Sequence, residues 1–285
     1  MLTKRIYYAI RLPKLTRQAE AVYNRVGRQT VIDTEATINK IINENLSVVR
    51  YGDGEFRWML NITDENMPSF QHVDPKLSAR LKEVLQKPVK NCYVCIPIWL
   101  AGQQKAILSR RFFWYTFITR YYRQVAEYLD QSYAYGNANW TDVQASGRLP
   151  QSEQVRILNC ITDIWRDKHV LIIEGKGVKN GVETNIFAHA KKVERIIAPA
   201  QDAFAKYDQI LAKVKTFKPH KNFIILIMLG PTATVLAYDL AKQGYRAIDM
   251  GHIDKYCKDT MPPLDDETRA QLEKRFTQEV CATIE

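Results

Sequence analysis

Asn222-Phe-Ile-Ile-Leu-Ile-Met-Leu-Gly230-Pro-Thr-Ala-Thr-Val-Leu-Ala-Tyr-Asp-Leu-Ala-Lys-Gln-Gly244-Tyr-Arg-Ala-Ile-Asp-Met250 is the stretch from which the fold is read. The apolar run from Asn222 to Leu229 predicts a strand buried on both faces, as in a parallel sheet. Gly230-Pro231 breaks that strand. A helix over Thr232 to Gln243 comes next, with Thr232 expected as its N-cap and Gly244 as the C′ residue that ends it. Tyr245 to Met250 then reads as a second strand. The same alternation extends toward the N-terminus. Strands are expected at Leu46 to Tyr51, Cys92 to Ile96, His169 to Glu174 and Val193 to Pro199. Helices are expected at Asp33 to Asn45, Pro75 to Gln86 and, rich in aromatics, Leu100 to about Leu129, while Tyr135 to Pro150 reads as loop. The pattern predicts a Rossmann-like α/β fold, a mostly parallel sheet with helices on both faces. It divides into a basic N-terminal helical extension over 1–30 and a single Rossmann-like domain over 31–285.

Charge narrows the partners. The chain has 41 Lys and Arg against 31 Asp and Glu, a net +10 that favours anionic ligands or surfaces. Within residues 1–28, Lys4, Arg5, Arg11, Lys14, Arg17, Arg25 and Arg28 face one acid, Glu20. Such a basic amphipathic segment suits a peripheral contact with an anionic membrane; the alternative is a solvated helix packed on the domain. Five scattered cysteines give no disulfide framework and fit a reducing compartment. Cys92 and Cys95, three apart on a strand, point to opposite faces and cannot share a metal. With no signal-peptide pattern, and an apolar run at Phe223 to Leu229 too short to span a bilayer, the expected location is the cytoplasm, with the inner membrane face as a site of contact.

In open parallel sheets ligands bind beyond the carboxyl ends of the strands, so the residues just past each strand carry the functional signal. Gly52-Asp53-Gly54-Glu55 comes after the first strand, preceded by Arg50. Read as extended, Asp53 and Glu55 point the same way, and paired hard oxygen ligands suit Mg²⁺ or Mn²⁺; an ordinary Asp-Gly turn is the plain alternative. Glu174, Gly175 and Lys176 stand at the end of another strand. Gly230, Pro231, Thr232 and Thr234 open a helix whose N-terminus favours an anion, with plain capping as the competing account. His252 and Asp254 come after the last strand. The histidine is read as a metal or phosphate ligand, the aspartate as a ligand or general base.

Two stretches resemble a known family. Arg50-Tyr51-Gly52-Asp53-Gly54-Glu55-Phe56 is similar to the DxE-bearing motif of the GT-D fold glycosyltransferases, and Leu229 to Asp254 resembles that family's C-terminal signature. The likeness covers roughly residues 40 to 256, with further matches at Cys95-Ile96-Pro97, Tyr135-Gly136-Asn137-Ala138 and Ile173-Glu174-Gly175. It implies a divalent metal held through Asp53 and Glu55. It also implies transfer of a sugar, often glucose, from a UDP-linked donor to a glycan or glycoprotein acceptor of bacterial surface glycoproteins or polysaccharides. Asp254 is the expected base if the reaction inverts. Asn139-Trp140-Thr141-Asp142-Val143 and Lys176 to Asn185 depart from the family's runs at positions expected to touch the donor. The competing classes are a catalytically degenerate or methyltransferase-like Rossmann protein, and a basic module for membrane or nucleic acid. Charge alone supports the nucleic-acid reading.

Overall fold

The computed structural model describes residues 2–63, 70–102, 104–145 and 149–285. Its strands are β1 (Thr30–Val31), β2 (Ser47–Arg50), β3 (Cys92–Ile96), β4 (Ala134–Asn137), β5 (His169–Gly175), β6 (Lys192–Ala198), β7 (Phe223–Met228), β8 (Ala247–Asp249) and β9 (Val280–Thr283). All the pairings are parallel, in the order β1-β4-β3-β2-β8-β7-β5-β6-β9. The helices are α1 (Leu2–Val26), α2 (Thr34–Asn43), α3 (Asp53–Met59), α4 (Pro75–Gln86), α5 (Leu108–Ala126), α6 (Gln151–Thr162), α7 (Tyr207–Val214), α8 (Pro231–Lys242), α9 (Ile253–Thr260) and α10 (Asp266–Glu279).

The sheet is covered on both faces, and strand periodicity shows how. Along β7, Phe223, Ile225 and Ile227 enter one core while Ile224, Leu226 and Met228 enter the other. The first core takes residues of α1, α3, α4, α5, α7 and α8; the second takes residues of α2, α6 and α9. Cys92 and Cys95 divide the same way, both buried and free. Burial pushes the Cys92 thiol up to about 12, so it is an inert packing group. Helix α1 lies along α5 and buries Leu12, Ala19 and Tyr23 in the first core. The Tyr8 ring stacks on Phe112 at 4.5 Å and Tyr23 meets Tyr122 at 5.8 Å, so the two helices run parallel.

Three expectations about elements are corrected. The helix expected from Leu100 starts at Leu108, because Ile98–Ala101 form a single 3-10 turn closed by Gly102 at φ +127. The segment Tyr135 to Pro150 is not all loop: Ala134–Asn137 is β4. Gly136 hides it from strand propensity, yet a Cβ there would lie 2.5 Å from the Cys95 sulfur. Thr232 is not the N-cap of α8; Gly230 is, with Pro231 in the first turn. Gly244, at φ +81, does stand past the helix end as expected.

Strand β2 pairs with both β3 and β8. From β2 the chain leaves toward β3 and β4, whereas from β8 it leaves toward β9 on the opposite edge. The sheet therefore has a topological switch point at β2 and β8, where open α/β sheets form their ligand crevice.

Candidate functional site at the switch point

The carboxyl ends of the central strands open on a cavity of about 670 Å³. Arg50, Asp53 and Glu55 reach it from β2 and α3, Asp142 from the loop after β4, Gly230 from the end of β7, and Asp249, His252 and Asp254 from β8 and α9.

Asp53 and Glu55 occupy the first turn of α3, with Gly52 as N-cap, and not an extended segment. Two residues apart on a helix diverge in direction, so the expected parallel pair of carboxylates does not form. Glu55 turns back and accepts from the Gly52 N–H at 2.8 Å, the N3 half of a capping box. Asp53 stays at the lip, its side chain about a third exposed and 3.9 Å from Arg57. Burial raises its pKa against that guanidinium.

The acid whose charge acts on Glu55 is Asp249, the last residue of the apolar strand β8; both line the cavity. Burial, and then the charge of Asp249, push the Glu55 carboxyl up to about 7. Asp249 is raised by burial, with Arg50 opposing. It accepts from the Gly251 N–H at 3.0 Å and lies 3.1 Å from the Thr234 hydroxyl, which is 2.9 Å from the Arg50 carbonyl. The Thr234 hydroxyl and the Gly251 N–H favour the charged carboxylate against the burial that raises it. Arg50 arches over Gly251, contacting Thr141 and the Met250 carbonyl at 3.4 Å; among the described residues its buried Nε has no partner. Gly251 adopts φ +55, and a Cβ there would overlap the guanidinium.

Other predicted site residues lie elsewhere. Glu174 is fully buried; it accepts from the Asn180 backbone and side chain, both at 2.7 Å, and pairs with Arg195 at 2.5 Å. It braces the loop after β5 and has no surface for a ligand. Lys176 is exposed away from the cavity, and Pro231, Thr232 and Thr234 are buried behind it. Asp254 borders the cavity, but one oxygen accepts from the Gly181 N–H at 2.8 Å and Thr184 at 2.7 Å, and the other faces Lys258 at 3.4 Å. A carboxylate so engaged holds the loop after β5 against α9. Burial, then Arg50 and Lys255, lower the His252 pKa and favour a neutral ring. Asp53, Glu55 and His252 do not form a cage: among the described residues no three acids, histidines or cysteines converge as metal ligands.

The remaining acids fit a hard cation all the same. Mg²⁺ and Mn²⁺ need only one or two protein carboxylates when waters and substrate phosphates complete the shell. Glu55, half-buried, and Asp249, buried, are such a pair, both lining the open cavity. Sequence reasoning passed over Asp249; an acid within Ala247-Ile248-Asp249-Met250 was the available signal, since a buried carboxyl needs a reason. Asp142, within the run expected to touch the donor, was not singled out as an acid, yet it lines the cavity. Burial raises that acid while Arg110 at 3.7 Å opposes, and Tyr256 hydrogen-bonds to it.

An all-parallel sheet with an acid-lined, arginine-bearing cavity at its switch point defines the Rossmann-like α/β class. Within that class the chain belongs to the glycosyltransferase GT-D fold family, whose model matches residues 48–278. A probable glycosyl transferase Gly from Streptococcus gordonii is 33% identical over 230 residues, covering 79% of this chain and 32% of that protein. The glycosyltransferase GlyD of Streptococcus pneumoniae serotype 4 is 28% identical over 225 residues, 77% of this chain and 26% of the relative. The chain thus spans about a third or less of the curated relatives it matches. A solved domain of unknown function 1792, described as having a distinct glycosyltransferase fold, superposes with a TM-score of 0.75 at 28% identity, over 94% of this chain and all of its own. A new glycosyltransferase of the same domain type from Streptococcus sanguinis gives 0.76 at 25% identity, over 90% of this chain and all of its own.

Proposed function

We propose that this chain transfers a hexose, with glucose the first candidate, from a UDP-sugar to a glycan acceptor in the synthesis of bacterial surface glycoprotein or polysaccharide. The carrying observation is that Glu55, Asp249 and Arg50 line one cavity within reach of each other's charge, at the switch point of a chain from a glycosyltransferase family. Mn²⁺ or Mg²⁺ would be held by Glu55 and Asp249, with waters and substrate phosphates completing its shell and Asp53 adding negative charge at the lip. Bound there, the ion offsets the charge that develops on the diphosphate leaving group. Arg50 supplies a guanidinium at the cavity wall as a counter-charge for the phosphates. Gly52 and Gly230 line the cavity, where a Cβ on Gly52 would press on the Glu55 carboxyl and one on Gly230 on the Phe70 ring. Trp58, Phe113 and Trp114 form apolar walls that keep water from the reacting carbon. With Asp254 engaged in bracing, Asp142 is the carboxylate proposed to take the acceptor's hydroxyl proton, its raised pKa improving it as a base near neutrality.

The test is nucleotide release from a panel of nucleotide-sugars, with Mn²⁺, with Mg²⁺ and with EDTA. Metal-dependent hydrolysis of one donor, lost in Glu55→Gln and in Asp249→Asn, supports the reading and names the sugar. No hydrolysis, together with no calorimetric binding of any donor in the presence of metal, overturns it.

A further inference from the structure

Helix α1 carries an excess of positive charge along its exposed surface. Among the described residues Lys4, Arg5, Lys14 and Arg17 have no acid within ion-pair distance, and the helix's single acid, Glu20, is engaged by Arg28 at 2.5 Å. The same half of the helix exposes apolar side chains: Ile10 is 73% exposed, Ile6 51% and Tyr7 45%. Residues 6, 7 and 10 share a helix face, so these groups form one patch. Ile107 at 41% and Phe113 at 39% are exposed at the start of α5, and the Tyr7 and Tyr8 rings meet Phe112 at 5.7 and 4.5 Å.

The fold sets this patch beside the cavity. Helix α5 begins at the carboxyl edge of the sheet, after β3, and its Arg110, Phe113 and Trp114 line the cavity. Because α1 runs parallel to α5, its first turns stand at that same end of the molecule, at the cavity mouth. Apolar groups surrounded by cations match the interface of an anionic bilayer, where isoleucine and tyrosine enter the headgroup boundary and Lys and Arg meet lipid phosphates. A second copy of this face would bring like charges together, and a nucleic acid would leave Ile6 and Ile10 against phosphates. Among the described residues no helix is long and apolar enough to cross a membrane, so the contact is peripheral.

We propose that the first half of α1, with Ile107 and Phe113, docks on an anionic lipid bilayer and turns the cavity mouth toward it. The full chain is to be sedimented with vesicles of phosphatidylcholine alone, or mixed with phosphatidylglycerol, at low and high salt. It is expected to sediment with the anionic vesicles and to be released by salt. Ile6→Asp/Ile10→Asp, and separately Lys4→Gln/Arg5→Gln/Arg11→Gln/Lys14→Gln, should each lower partitioning by roughly tenfold or more. Both sets change exposed side chains and should leave the thermal midpoint unchanged. No sedimentation, equal binding to neutral vesicles, or variants that bind as well as the parent overturn the proposal. So does an α1-dependent dimer in light scattering without vesicle binding. Donor hydrolysis in vesicle-free buffer reads the transferase proposal separately, so either can fail without the other.

Discussion

Glu55 shows how a small change of local geometry redirects a side chain. In an extended segment it would have joined Asp53; in the first turn of α3 it swings back to Gly52 and comes within reach of the charge of Asp249. Its carboxyl titrates near 7, above the ordinary 4.5. A raised carboxyl favours the protonated folded state, so in metal-free protein its contribution is fully present below about 4.5 and is lost as pH rises through about 7. Thermal melts in EDTA should lose stability across that window at up to about 1.4 kcal/mol per pH unit, and Glu55→Gln should flatten the slope. The same variant should weaken Mn²⁺ binding by about a hundredfold, read by calorimetry. Asp254 makes the opposite case. Asp254→Asn keeps the oxygen that accepts from Gly181 and Thr184, so transfer should fall by less than about tenfold, whereas loss of a true base costs roughly 10²–10⁴. Asp254→Ala strips those donors of their partner and should lower stability by about 1–3 kcal/mol in urea titrations.

At the scale of elements, the loop after β5 illustrates how the cavity wall is held. Lys179 and Asn185 adopt left-handed φ values of +50 and +52, conformations that persist only when the surroundings fix them. Glu174 at the end of β5 and Asp254 in α9 grip the loop from two sides. Arg195 on β6 completes the assembly, nearly buried between Glu174 at 2.5 Å and Glu279 at 2.8 Å. Arg195→Met leaves Glu174 with a buried, uncompensated charge and should cost about 3–5 kcal/mol by chemical denaturation. The elements differ in how legible they are from sequence. Strands β5 and β7 are plain, because runs of β-branched and aliphatic residues buried on both faces leave little alternative. Strands β1, β4 and β9 are not: two carry four residues, one carries two, and β4 contains Gly136. Their strand character comes from the neighbour each pairs with.

Across the whole molecule, the sheet is closed by its most distant pairing. Val48 lies between Tyr93 on one side and Ile248 on the other, so β2 is central only when β8 has arrived. Pairings of such separation form late, because loop closure precedes the contacts that reward it. A fragment of residues 1–149 should therefore lack cooperative unfolding by near-UV circular dichroism, its β2 edge unpaired, and co-expression with 150–285 should restore it. The cavity belongs to this scale too. Its acid pair joins a residue after β2 to one in β8, and its arginine is shaped by a glycine 201 positions away, Arg50 over Gly251.

The sequence by itself determined the parallel α/β class, the strand ends at which polar residues gather, and the family likeness carried by Arg50 to Phe56 and Leu229 to Asp254. Those come from periodicity and from local breaks such as Gly230-Pro231, which act within a few residues. Only the tertiary structure decided which of the gathered groups face one another. It set Glu174 and Asp254 to bracing, buried Thr232 and Thr234, and brought Asp249 to Glu55. Side-chain direction depends on whether two residues lie on a strand or a helix turn, and on the groups another strand brings within a few ångströms. That information is held in the packing of the whole sheet and not in the spacing of any one motif.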